Sequence, residues 1–201
     1  MAFRTSLFVA VSVWCLVVES GAAIHFSDLK ESLVVTASPK SGQVLKAGED
    51  KITVTWSLNT TFPNGADSDY KTVKVKLCYA PISQEERGWR KTQNELKKDK
   101  TCQHLIASRP YAPSNNNVTW IVKRDCPGAT YFVRAYVLNS AEHEVAFGQT
   151  TDSKKTTNLF EIQAITGRHL SLDIASICFS AFSVVSLFFF FFLEKIRNKT
   201  K

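Results

Sequence analysis

The stretch KITVTWSL, Lys51 to Leu58, alternates apolar and polar residues without a break. A period of two puts Ile52, Val54, Trp56 and Leu58 on one face of an extended strand. Working outward, the same reading gives further short strands separated by turn residues. Upstream lie Leu33 to Thr36, ended by Ser38-Pro39, and a short Val44-Leu45 closed at Ala47-Gly48. Downstream, a loop from Asn59 to Asp69 leads into Tyr70 to Tyr79, where Val73, Val75, Leu77 and Tyr79 share one face and Lys74, Lys76 and Cys78 the other. Cys78 is therefore expected off the apolar face, so that a disulfide from it would not be a buried bridge between sheets. Cys102 to Ile106 follows, then breaks at Pro110 and Pro113, then Val118 to Val122 around Trp120. Asp125-Cys126-Pro127-Gly128 reads as a turn. Thr130 to Leu138 is apolar on both faces apart from Arg134, and Glu144 to Gln149 and Leu159 to Ile165 complete the set. About seven short strands with a tryptophan in an early one predict an all-β, immunoglobulin-like or fibronectin-III-like sandwich. No cysteine pair stands where antibody domains carry their core bridge, which favours the fibronectin-like form.

The two ends place this domain. Ile174 to Leu193, IASICFSAFSVVSLFFFFFL, has no charge, and Phe188 to Phe192 are consecutive. As a helix it would run about 30 Å, the thickness of a bilayer's hydrocarbon core. At the other end Arg4 precedes an apolar run, Leu7 to Val18, and small residues at Ser20-Gly21-Ala22-Ala23. That is the pattern of a secretory signal peptide cut near Ala22 or Ala23. Lys195, Arg197, Lys199 and Lys201 against Glu194 give the tail +3, and basic residues just after a span mark the cytosolic side. The expected order is a signal peptide at 1–23, an extracellular sandwich at 24–165, a linker at 166–173, a transmembrane helix at 174–193 and a cytosolic basic tail at 194–201. The tail would also attract anionic membrane lipid.

Between signal and span, Ile24 to Asp173 comprises 150 residues with 20 lysines and arginines and 16 acids. That is enough for one domain with a core. A secreted domain of low net charge without a reading motif excludes nucleic acid as a partner. Cys78, Cys102 and Cys126 are the cysteines left in it, an odd number that permits one internal disulfide. Spacing alone leaves Cys78–Cys102 and Cys102–Cys126 both open. Asn59-Thr60-Thr61 and Asn117-Val118-Thr119 are glycosylation sequons, at Asn59 and Asn117.

No motif carries catalysis or a cofactor. There is no phosphate-binding glycine loop, no G-x-S-x-G and no H-E-x-x-H, and His25, His104, His143 and His169 are scattered. The chain is read as non-enzymatic, with no cofactor and no metal site. Two features look like interaction surfaces. Glu85 to Lys100 holds six basic residues and four acids around Trp89 and Leu96. Aromatic plus arginine, as in Trp89-Arg90-Lys91, is the composition of interface anchors. On composition alone, though, this segment reads first as a solvated charged loop or a short helix. In the span, Ser176, Ser180 and Ser183 share one helical face on which a second helix could approach closely.

Longer motifs identify the chain more sharply. Lys74 to Pro81 (KVKLCYAP), Arg87 to Lys91 (RGWRK), Lys98 to Cys102 (KDKTC), Gly128 to Tyr136 (GATYFVRAY), Thr156 to Phe160 (TTNLF) and Gly167-Arg168-His169 leading through Ser171 to Ser180 occur in that order. In these the mature chain resembles the plant high-affinity nitrate transporter-activating membrane components. The resemblance implies a non-transporting accessory subunit of the plasma membrane, single-pass with its N-terminal domain outside. It also implies an obligate partner, a polytopic high-affinity nitrate transporter of the major facilitator type, which needs the subunit for delivery, stability and uptake at low nitrate. It pairs Cys78 with Cys102 and leaves Cys126 as a free or intermolecular thiol. It spans Arg90 and Asp99, and so raises the loop of Trp89, Arg90, Lys91 and Asp99 to the leading partner contact. The competing expectation is a cell-surface receptor or adhesion module with the same signal, sandwich and span. A tail of eight residues, too short for a signalling motif, weighs against it.

Overall fold

A computed structural model describes residues 23–63, 65–114 and 116–199. The signal peptide expected at 1–23 lies outside them, apart from Ala23. The chain divides into two units, one ending at Gln163 and one beginning at Ala164.

Among the described residues the first unit is built from ten strands: β1 (Lys30–Glu31), β2 (Leu33–Ala37), β3 (Val44–Lys46), β4 (Lys51–Leu58), β5 (Thr72–Tyr79), β6 (His104–Pro110), β7 (Asn116–Ile121), β8 (Ala129–Leu138), β9 (Glu144–Gln149) and β10 (Phe160–Gln163). They form two sheets. β2, β4 and β7 make an antiparallel three-stranded sheet with β4 in the middle. The larger sheet is organised on β8. β5 runs antiparallel along one side of β8, from Thr72 opposite Leu138 to Tyr79 opposite Tyr131, and β6 lies beyond β5. On the other side, β9 pairs with the C-terminal half of β8 and β10 with its start. The N-terminal chain switches sheets twice. β1 pairs parallel with β9, β2 joins the smaller sheet, and β3 returns to pair parallel with β10. The result is the immunoglobulin or fibronectin-III-like sandwich that the alternation predicted.

The core lies between the sheets. Ile52, Val54 and Trp56 of β4 face Val73, Val75 and Leu77 of β5 and Tyr131, Val133, Ala135 and Val137 of β8, all buried. Full burial of such a side chain contributes about 1.5–3 kcal/mol. Where the chain leaves the larger sheet between β1 and β2, backbones pass so closely that a Cβ on Gly148 would stand 2.7 Å from Leu33 Cβ.

β8 is apolar on both faces because both are covered. On its outer side a second cluster of Leu29, Tyr136, Leu138 and Phe147 is roofed by Ile24, Phe26, Leu96 and Cys102. The roof is the N-terminal segment together with the loop between β5 and β6. This roof changes the meaning of one expectation. Cys78 does point away from the main core, but it is fully buried.

Among the described residues the second unit contains one helix, α1 (Leu170–Lys199), long and apolar enough to cross a membrane. It spans about 45 Å at 1.5 Å per residue. Asp173 sits in its first turn, where a negative charge favours the helix dipole, and pairs with Arg168 at 3.2 Å.

Candidate partner-contact surface

The segment from Pro81 to Gln103 joins β5 to β6. Among its residues the structure places no α-helix, only two 3₁₀ turns, Pro81–Ser83 and Gly88–Arg90. Its two ends are tied by the disulfide Cys78–Cys102, whose partners are 24 positions apart. Closing a loop of that size contributes about 3 kcal/mol in the chain-entropy picture.

Inside this loop the charged residues have divided roles. Arg90 is 6% exposed, which corrects its reading as part of a solvated loop. Its guanidinium stacks 4.3 Å from the ring centroid of buried Tyr79, and Nη1 donates to the Ser83 carbonyl at 3.3 Å. Nε is buried without a partner. Asp99 is half-buried. Its Oδ1 accepts from the Gln93 amide (3.1 Å), the Thr101 amide (3.2 Å) and the Thr101 hydroxyl (2.6 Å), pinning both ends of the 93–101 turn. Both residues therefore face inward and shape the loop from behind.

Trp89 and Lys91 face outward. Trp89 is 61% exposed, and its backbone carbonyl is held by Gln103 Nε2 at 2.6 Å. Gln103 also reaches the Lys100 carbonyl. Leu105, on the same outward phase as Gln103, and Ile82 beside Ser83 are exposed as well. Sequence reasoning missed these two apolar side chains. Leu105 falls inside a predicted strand and Ile82 beside a proline, with nothing local to mark their exposure.

His104 begins β6 behind this surface. Its Nε2 lies 3.2 Å from Tyr79 Oη, so Arg90, Tyr79 and His104 form one contiguous group. Burial pushes the imidazole pKa below its ordinary value. Nearby Lys123 and Arg90 push the same way against the opposing pull of Asp125.

The N-terminal segment fastens the loop from the other side. Phe26 N donates to the Asn94 carbonyl at 2.6 Å, Leu96 N to the Ile24 carbonyl at 3.0 Å, and Ser27 N to Asn94 Oδ1 at 3.0 Å. The Phe26 ring lies 4.3 Å from the guanidinium of Arg134 and 4.5 Å from Phe147. Arg134, 1% exposed, donates twice to Gln149 Oε1 and once to Tyr136 Oη. Its lone charge in an apolar strand is accommodated by neutral acceptors and ring faces.

The remaining predicted residues lie elsewhere. Ser176, Ser180 and Ser183 are exposed on α1. Cys126 is a free thiol, buried against Tyr131, and its burial argues against an intermolecular bond. Asn59 follows β4, half-buried, with Oδ1 accepting from the Thr61 amide and hydroxyl. Asn117 is exposed on β7.

Comparison with known proteins gives this arrangement its context. The family model for "High-affinity nitrate transporter accessory, Ig-like domain" matches residues 26–167. The chain is 48% identical to "High-affinity nitrate transporter 3.2" of Arabidopsis thaliana, covering 99% of this chain and 98% of that one. It is 49% identical to "High-affinity nitrate transporter-activating protein 2.1" of Oryza sativa subsp. japonica, over 89% and 84% respectively. Among solved structures it is similar to the fibronectin(III)-like modules of Clostridium thermocellum CbhA, at 16% identity and a TM-score of 0.31, over 66% of this chain and 47% of that one.

Proposed function

The chain belongs to the high-affinity nitrate transporter accessory family, and from that we propose that it is a non-catalytic subunit that binds a polytopic high-affinity nitrate transporter of the major facilitator type. The observation that carries the reading is that the family match covers the whole sandwich. In this reading the signal peptide is removed, the sandwich is extracellular, α1 anchors it in the plasma membrane and the basic tail is cytosolic beside anionic lipid. A single apolar helix has no second wall with which to enclose a polar path, so uptake belongs to the partner. The subunit acts by binding. A partner that is stabilised when bound accumulates as the bound form, which accounts for delivery and stability together. Trp89 and Lys91 make the extracellular contact, Arg90 and Asp99 hold them in place, and the Ser176, Ser180 and Ser183 face of α1 receives a transporter helix.

The test is nitrate uptake at low external nitrate in cells lacking both components. A candidate transporter and this chain are expressed singly and together, and surface transporter is measured each time. Uptake from the pair alone supports the reading. A parallel rise in surface transporter assigns the effect to delivery. If the pair behaves as the sum of the singles across several transporters, the reading fails.

A further inference from the structure

The smaller sheet turns to solvent a face that the proposed function leaves unused. Strand periodicity presents Thr36, Thr53, Thr55 and Thr119 outward across β2, β4 and β7. Thr36 is hydrogen-bonded to Thr55 and Thr53 to Thr119. The only charge among the outward positions of these strands is Lys51, in a protein in which 21% of residues are charged. Among the described residues β2 and β7 each pair only with β4, so both are sheet edges. Edges of this kind are usually blunted by charge or covered. Here charge is nearly absent and Asn117 lies on the face, opposite Thr55 in the ladder. Because the strand repeats every two residues, Asn117 and Thr119 both point outward while Val118 points in, so the sequon is displayed without disturbing the core. A shallow depression of about 350 Å³ beside Asn117 is lined by Val34, Thr36, Thr55 and Ser57.

We propose that Asn117 carries an N-linked glycan, and that this glycan covers the outer face of the three-stranded sheet. In the transfer, Asn117 Nδ2 bonds to the anomeric carbon of a lipid-pyrophosphate-linked oligosaccharide. The bond from that carbon to the pyrophosphate oxygen breaks, the amide loses one proton and the lipid pyrophosphate leaves. The proposal rests on the luminal placement of the sandwich given above. Asn59 differs from Asn117 in being half-buried in a turn, with its Oδ1 accepting from Thr61, rather than displayed on the sheet face.

The full chain is made in a eukaryotic secretory system and digested with peptide N-glycosidase. Asn117→Gln and Thr119→Ala should each lose one glycosidase-sensitive step, and Thr119→Ser and Asn59→Gln should both retain it. Ala141→Thr, which completes a sequon at Asn139 in the β8–β9 turn, reports placement independently. If Asn117→Gln matches the parent while Ala141→Thr gains a step, the Asn117 assignment falls and luminal placement survives. If no chain is modified, both fall. For coverage, hydroxyl-radical labelling of Val34 and Ile121 should rise severalfold after enzymatic glycan removal, with Leu105 unchanged. Equal labelling before and after would overturn it.

Discussion

The guanidinium of Arg90 sits 4.3 Å from the ring centroid of Tyr79, and Tyr79 is in turn bonded to His104. An arginine in a charged loop thus works as a packing residue. Arg90→Ala removes the stack, the bond to Ser83 and the buried aliphatic stem. The expected cost is about 1–3 kcal/mol. Denaturant unfolding of the detergent-solubilised chain measures it. Arg90→Lys should recover only part, because an ammonium lacks the planar stacking face. Wild-type stability in Arg90→Ala would remove its positioning role.

Trp89, the next residue back, should behave in the opposite way. Its side chain is largely exposed, so Trp89→Ala should leave stability within about 0.5 kcal/mol. A buried aromatic anchor at an interface is worth about 2 kcal/mol or more, so co-purification with the transporter should fall roughly thirtyfold. The pair of variants separates contact from support: Arg90→Ala lowers stability and binding together, Trp89→Ala binding alone. Unchanged binding in Trp89→Ala would move the contact away from this loop.

How far the sequence reveals these roles depends on how local their causes are. β4 and β9 are legible to the residue, because alternation and turn residues are local signals. β6 was expected to start at Cys102 but starts at His104, since the disulfide and Gln103 hold the preceding residues in the loop. Arg90 is buried against Tyr79 and Ser83, and Cys78 is bonded to Cys102 on the face roofed by residues 24–29 and 94–102; neither arrangement is signalled by periodicity. Arg134 is visible as a lone charge in an apolar strand, but its partners are non-local: Phe26 comes from that roof and Gln149 from the neighbouring strand β9.

Gly148 marks another non-local constraint. A Cβ at this position would press on the Leu33 backbone where the chain crosses between sheets. Gly148→Ala should destabilise by about 1–3 kcal/mol or more, since two backbones rather than a flexible side chain must yield. A lowered melting temperature in the isolated variant checks this. Gly88, which has open space around its Cβ position, is the control, and Gly88→Ala should be near neutral.

His104 makes the fold sensitive to pH in one direction. In the folded chain burial, then Lys123 and Arg90, lower its pKa below 6.5, with Asp125 opposing. The unfolded chain therefore binds the proton more readily, and stability rises with pH wherever the two states differ in protonation. This contribution is complete above about pH 6.5, declines as pH falls through the lowered folded value, and levels off below it. Protonation would also place a second cation beside Arg90 and require Tyr79 Oη to act only as an acceptor toward the ring. His104→Gln keeps a polar partner for Tyr79 but cannot titrate. Its stability should therefore vary less with pH between 7.5 and 5 than that of the parent, as measured by denaturant unfolding at fixed ionic strength. Parallel pH profiles for the two proteins would show that His104 does not set this dependence.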